Sequence, residues 1–207
     1  MRSKSLASLL NLLSTALEER GALVIYGAPG TLRTRLAFLL CSRFKPCVYI
    51  GAGRHARLKR LPEGVLAGST TSFYEELLKV LECTGLVKNG AVRALAIDEL
   101  LANIVPYRAS LSESIVMRMV LTEIQLIRSL VERGGKSIIV CGEDPRTGGP
   151  LALRYLRQLK PHLLRTSVIE GVLSVEEREL GDPVAVMWKA EVEAGEVEKS
   201  CEALLLS

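Results

Sequence analysis

IYGAPGTLRTRLA, residues 25–37, is the stretch from which the fold is read. A short apolar strand, Ala22–Tyr26, runs into a Gly/Pro turn, and a helix is expected over Thr34–Phe44. The stretch follows the frame of a phosphate-binding loop, G-x-x-x-x-G-K-[ST], between a strand and a helix. In that frame the glycines let backbone N–H groups curl around phosphate oxygens, and the lysine pairs with phosphate charge. The hydroxyl holds magnesium, and the helix N-terminus adds the positive end of its dipole. Gly27, Gly30 and Thr34 fit. Leu32 stands where the second glycine belongs, and Arg33 where the lysine belongs. Arginine keeps the charge, but its planar fork does not reproduce a compact ammonium. Leucine adds a side chain where backbone should approach the ligand. Two readings stay open: a connection kept only for folding, or a loop that still holds ATP. In the second, Gly27, Gly30, Thr31, Arg33, Thr34 and Arg35 contact the nucleotide, and Thr34 contacts Mg2+.

Working outward, Leu6, Leu9, Leu10, Leu13 and Leu17 recur at helical spacing, so residues 3–20 are expected as an amphipathic helix. Cys47–Ile50 reads as a second strand with a Gly-rich exit, Gly51-Ala52-Gly53. SFYEELLKVLE, residues 72–82, reads as a helix, with Ser72 and Glu75 spaced as a capping box. Ala94–Ile97 is a buried strand ending in Asp98 and Glu99. Ser110–Arg133 is a long helix, with Ser110 and Glu113 as a second capping box and Gly134-Gly135 as its stop. Ser137–Cys141 is the next strand, followed by the turn-rich EDPRTGGP. The part from 166 to 207 is expected to be strand-rich. Strands alternating with helices predict one α/β domain over residues 1–207, with a twisted, mostly parallel sheet flanked by helices on both faces.

ALAIDEL, residues 94–100, delivers carboxylates to the C-terminal edge of a strand, where open parallel sheets bind ligands. Asp98 is the candidate magnesium ligand, and Glu99 the candidate catalytic residue, placed to orient a water. The bland alternative is a turn cap followed by a solvated acid. In this order of motifs the chain resembles the core ATPase domain of the RecA/RadA recombinases, above all the short archaeal RadA paralogues (RadB-like) and their KaiC-like relatives. GALVIYGAPGT resembles their strand and phosphate loop. SFYEELLKVL resembles their third helix. LAIDELLANIVPYR resembles their acidic strand with its following aromatic–arginine pair, here Tyr107-Arg108. GGP at 148–150 before LRYLRQLK resembles their Gly-Gly turn and basic strand. The resemblance spans residues 15–190 and implies a RecA-type P-loop NTPase core with ATP and Mg2+ as ligands.

The chain departs from that family at several positions together. The exit of the second strand carries no catalytic acid, and Glu143 stands where the family has an amide that senses the γ-phosphate. With Leu32 and Arg33, these changes imply weak or absent hydrolysis. The resemblance then implies an accessory protein of homologous recombination and DNA repair, binding DNA, a recombinase or paralogue ATPase subunit, or both. The alternatives are an active KaiC-like ATPase and a nucleotide-free scaffold. Arg54, Arg57, Lys59 and Arg60 concentrate positive charge after the second strand. Arg154 and Arg157, with Lys160, Arg165 and Tyr155, form another basic set. Such groups neutralise nucleic-acid phosphates, and a tyrosine can stack on a base. Solvated helix faces are the ordinary alternative. Arg108 or Arg146 is the candidate to complete a neighbouring subunit's site, as an arginine finger does.

Composition bounds these readings. The chain is 48% hydrophobic and 24% charged, as globular domains are, and its formal charge of +4 permits an acidic partner without demanding one. No run of about twenty apolar residues suggests a membrane span. The basic, Leu-rich start imitates a signal peptide, but Asn11, Ser14, Glu18 and Glu19 interrupt the pattern, so a cytoplasmic protein is expected. The five cysteines form no C-x-x-C pair, which argues against structural zinc. They are expected mostly as buried thiols. The scarcity of Asn and Gln hints at a thermophile, in which an intracellular disulfide has room.

Overall fold

The computed structural model describes residues 5–52, 62–179 and 186–206. Helix α1 (Leu6–Arg20) begins at Ser5, whose hydroxyl accepts from the Ser8 amide, and ends at Gly21, which takes the left-handed conformation at φ +74°. Strand β1 (Ala22–Gly27) is buried along its whole length. Leu23 and Ile25 face one core, and Ala22, Val24 and Tyr26 face the other. That continuous burial is the mark of a strand covered on both faces. There follow α2 (Arg33–Cys41), β2 (Cys47–Ala52), β3 (Val65–Thr70), α3 (Phe73–Lys88) and β4 (Ala94–Asp98). After a 3-10 turn at Val105–Ala109 come α4 (Glu113–Glu132), β5 (Lys136–Gly142) and the short α5 (Leu153–Leu156). The chain then runs through β6 (His162–Ile169), β7 (Val172–Arg178), β8 (Val186–Glu193) and α6 (Ala194–Leu206).

The eight strands form one sheet in the order β3-β2-β4-β5-β1-β6-β7-β8. Every pairing from β3 to β6 is parallel, and β6-β7-β8 is antiparallel. The expected α/β class and mostly parallel sheet are therefore observed. Helices α1, α2 and α6 cover one face, with Leu9, Leu13, Leu17, Phe38 and Val197 at its centre. Helices α3, α4 and α5 cover the other, with Val80, Ile97, Ile124, Ile127 and Leu156. No described helix is long and apolar enough to cross a membrane.

Several local expectations need correction. The box at Ser72 is half made. Its hydroxyl accepts from the Glu75 amide at 3.2 Å, but the Glu75 carboxylate turns to the Thr71 amide at 2.9 Å. The box at Ser110 is not made. The Val105–Ala109 turn runs on through Ser110, and Ser112 is the N-cap of α4. LRYLRQLK is not a strand. Leu156 and Leu159 point inward at a spacing of three while Arg154 and Arg157 point out, a pattern that a helical turn satisfies and a two-residue repeat does not. The tail is not strand-rich to its end, because Val197, Cys201, Leu204 and Leu205 recur at helical spacing and fold as α6 against the core. Cys41 and Cys47 form a disulfide that ties the end of α2 to the start of β2, while Cys83, Cys141 and Cys201 are buried thiols.

Candidate functional site

The Gly27–Thr34 loop leaves β1 at the C-terminal edge of the sheet, between β5 and β6. Gly27 has no alternative there: a Cβ on it would meet the Thr166 carbonyl oxygen at 2.3 Å. Thr31 is buried; its hydroxyl donates to the Ala28 carbonyl at 2.8 Å and lies 2.9 Å from that of Thr166. Thr31 therefore pins the loop to β6 at the border of the loop cavity. Gly30 turns outward at φ +83° with open space around it. Leu32 takes φ +59°, ψ +17°, the left-handed turn that the motif's glycine ordinarily supplies, and its side chain packs on the edge of the core. No side chain caps the start of α2, so the amides of its first turn face a cavity of about 430 Å³ bordered by Gly30, Thr34, Arg35 and Glu198. This end of the cavity suits a phosphate group.

Arg33 does not serve that cavity as a free cation. Its side chain is 11% exposed; the guanidinium donates to the Cys141 carbonyl at the end of β5 and lies 3.4 Å from a Glu99 carboxylate oxygen. Glu99 itself lies over Gly142, where a Cβ would stand 3.3 Å from its carboxylate. Asp98, the last residue of β4, is buried and accepts a hydrogen bond from the Tyr49 hydroxyl. Burial first, then the Asp98 charge and hydrogen bond, hold the Tyr49 phenol well above its ordinary pKa, so it remains a neutral donor. Glu143 binds Arg165 at 2.7 Å. Thr34 is exposed in the first turn of α2. Among the described residues, no group of three or more His, Cys, Asp or Glu gathers to hold a metal ion. Of the two expected magnesium ligands, Thr34 and Asp98, Asp98 is already engaged by Tyr49.

Glu198 carries no motif and was not among the expected site residues. It comes from α6 and pairs with Arg35 at 2.5 Å on the rim of the loop cavity. Glu196, on the same helix, accepts from the Leu6 amide at 3.2 Å and so caps α1. The only advance signal was the helical spacing of the tail. Both Arg35 and Glu198 side chains are more than a third exposed, at 37% and 47%, so the pair is worth about 0–1 kcal/mol. Glu198→Gln is expected to raise affinity for tripolyphosphate by up to about fivefold, read by calorimetry against the unchanged chain. Equal affinities would mean that Glu198 does not compete with anions for Arg35.

The basic residues separate into three groups. Arg54, Arg57, Lys59 and Arg60 lie outside the described residues. Arg154 and Arg157 are exposed on α5 and the turn after it, and Arg154 lies over the Tyr155 ring, 4.6 Å from its centroid. Arg165 is drawn to Glu143 and does not join them. Beside Arg154 a second cavity of about 370 Å³ opens, which Arg108 also lines. No protein-family model matches the chain, and no curated protein is significantly similar to it.

Proposed function

We propose that this chain is a RecA/RadA-like accessory protein of homologous recombination and DNA repair, one that binds single-stranded DNA, a recombinase, or both, and does not turn over ATP at a useful rate. The observation that carries the reading is the withdrawal of Arg33. In the resembled family a lysine at this position supplies charge to the phosphates. Here the corresponding cation is held by a backbone carbonyl and by Glu99, the residue expected to orient a water. Nucleotide held by such a loop would rest on the open amides of α2, Arg35 and Thr34, and would be weak or structural.

Two surfaces support the binding role. Arg108, Arg154 and Arg157 put positive charge at the edge of the sheet that the strand ends define, while Tyr155 is buried beneath Arg154 and does not offer the open stacking face expected of it. On α3, Tyr74, Leu78 and Leu81 recur at spacings of four and three and are exposed together. Exposed apolar side chains gathered in this way mark protein contacts. A salt series on single-stranded DNA tests the reading. Replacing Arg154 and Arg157 by Ala together is expected to lower the slope of log K against log salt by roughly 1.4, or 0.7 per phosphate contact. ATP turnover that Asp98→Asn abolishes would overturn the proposal in favour of a KaiC-like ATPase.

A further inference from the structure

The cavity beside Arg154 has two halves of different chemistry. Its inner half is apolar: Val116 and Val120 of α4 are buried, and Met117 is half-buried beside them. Its mouth is cationic, lined by Arg108 from the 3-10 turn and Arg154 from α5. The Arg154 guanidinium is already stacked on Tyr155, whose ring is 8% exposed and held by the core. Glu113 stands 3.9 Å from Arg154 and is 84% exposed, so it does not neutralise the mouth in a dry environment. About 370 Å³ falls in the range of small-molecule sites. A ligand that satisfies both halves has a flat apolar body and an anionic group at one end.

We propose that this cavity takes one nucleotide unit, its base against Val116, Met117 and Val120 and its phosphate on Arg108 and Arg154. The inference rests on the nucleic-acid reading above and adds to it. Phosphate contacts alone would bind a strand without regard to its bases, whereas an apolar slot beside a stacked arginine–tyrosine pair rewards a base that leaves the stack. The unit can arrive as an unstacked position in a single strand or as a free mononucleotide.

The test uses the full chain and a fluorescein-labelled 12-mer of deoxycytidine, followed by anisotropy at low salt. A 12-mer with abasic sites at its central positions keeps every phosphate and loses the bases. It is expected to bind about tenfold more weakly, the loss that removing a stacked base brings. Met117→Trp, which fills the slot from a half-buried position, is expected to cost a similar factor and to make the two strands bind alike. Competition by free dCMP at the concentration of strand nucleotides would assign the site to a mononucleotide; competition only at large excess would assign it to a strand. Equal binding of the two strands by the unchanged chain, with no competition by dCMP, would overturn the pocket while leaving charge-driven DNA binding in place. Failure to bind either strand or dCMP would overturn the pocket and the nucleic-acid reading together. The abasic comparison needs no variant, so it does not depend on Met117→Trp folding.

Discussion

Replacing Glu123 by Gln stabilises the fold at neutral and alkaline pH and removes most of its dependence on pH there. Glu123 lies on the inward stripe of α4, between Val120 and Ile124, and is fully buried. It meets Glu76 of α3, also fully buried. Glu76 is served by the Asn103 amide and by the Thr70 hydroxyl at 3.3 Å, with Asn103 also donating to Thr70 at 2.7 Å. Among the described residues no donor reaches either carboxyl oxygen of Glu123. A proton on Glu123 shared with Glu76 gives the free Glu76 oxygen a donor and engages one of the two Glu123 oxygens. Burial, and after it the charge and hydrogen bond of Glu76, hold the Glu123 carboxyl well above the usual carboxylate range.

The direction of the pH effect follows from proton counts. The folded chain keeps a proton that the unfolded chain releases near the ordinary glutamate pKa, roughly 4.3. Folding therefore binds protons above that point. The contribution is fully present below it and is lost as pH rises toward the raised folded value, at about 1.4 kcal/mol per pH unit within the window. Glutamine keeps a donor for Glu76 and cannot ionise. Urea unfolding of both chains from pH 5 to pH 9 is expected to show a falling midpoint for the native sequence and a nearly level one for Glu123→Gln. Parallel profiles would mean that the two acids do not share a proton.

Changing Leu32 to Gly and Arg33 to Lys together is expected to raise affinity for Mg·ATP at least tenfold over the native chain. The left-handed turn at Leu32 costs roughly 1–2 kcal/mol in a residue with a Cβ, and glycine removes that cost. It also removes a side chain from the lining of the loop cavity. Arg33 reaches the Cys141 carbonyl and Glu99 through a single guanidinium nitrogen, and the shorter, flexible lysine is expected to turn its ammonium toward the cavity instead. Calorimetry reads the outcome, with Thr34→Ala as the control that should weaken binding in the changed chain. No gain in affinity would mean that the loop is a folding element whose geometry outlasted its ligand.

What could be read without coordinates was local in the chain. The strand, turn and helix around Gly27–Thr34 lie next to one another, so each residue's backbone preference and apolar spacing act directly. The same holds for the long amphipathic α4 and for the placement of Asp98 at the end of β4. β3 was not read because it is a short edge strand, with Leu66 exposed and a glycine in the middle, and so shows little apolar pattern. Glu76 and Glu123 did leave a trace, each standing in an apolar stripe of its helix, but the trace does not say that the two stripes meet.

The amino-acid sequence by itself determined the α/β class, the parallel sheet and the loop at its C-terminal edge, because hydrophobic period and turn chemistry are properties of neighbouring residues. Only the tertiary structure decided what the charged groups do. Arg33 finds Glu99 from sixty-six residues away, Arg35 finds Glu198 on the last helix, and Asp98 is met by Tyr49 from the adjoining strand. A charge is governed by whatever lies within a few ångströms of it, and at this sheet edge those neighbours come from strands and helices far apart in the chain.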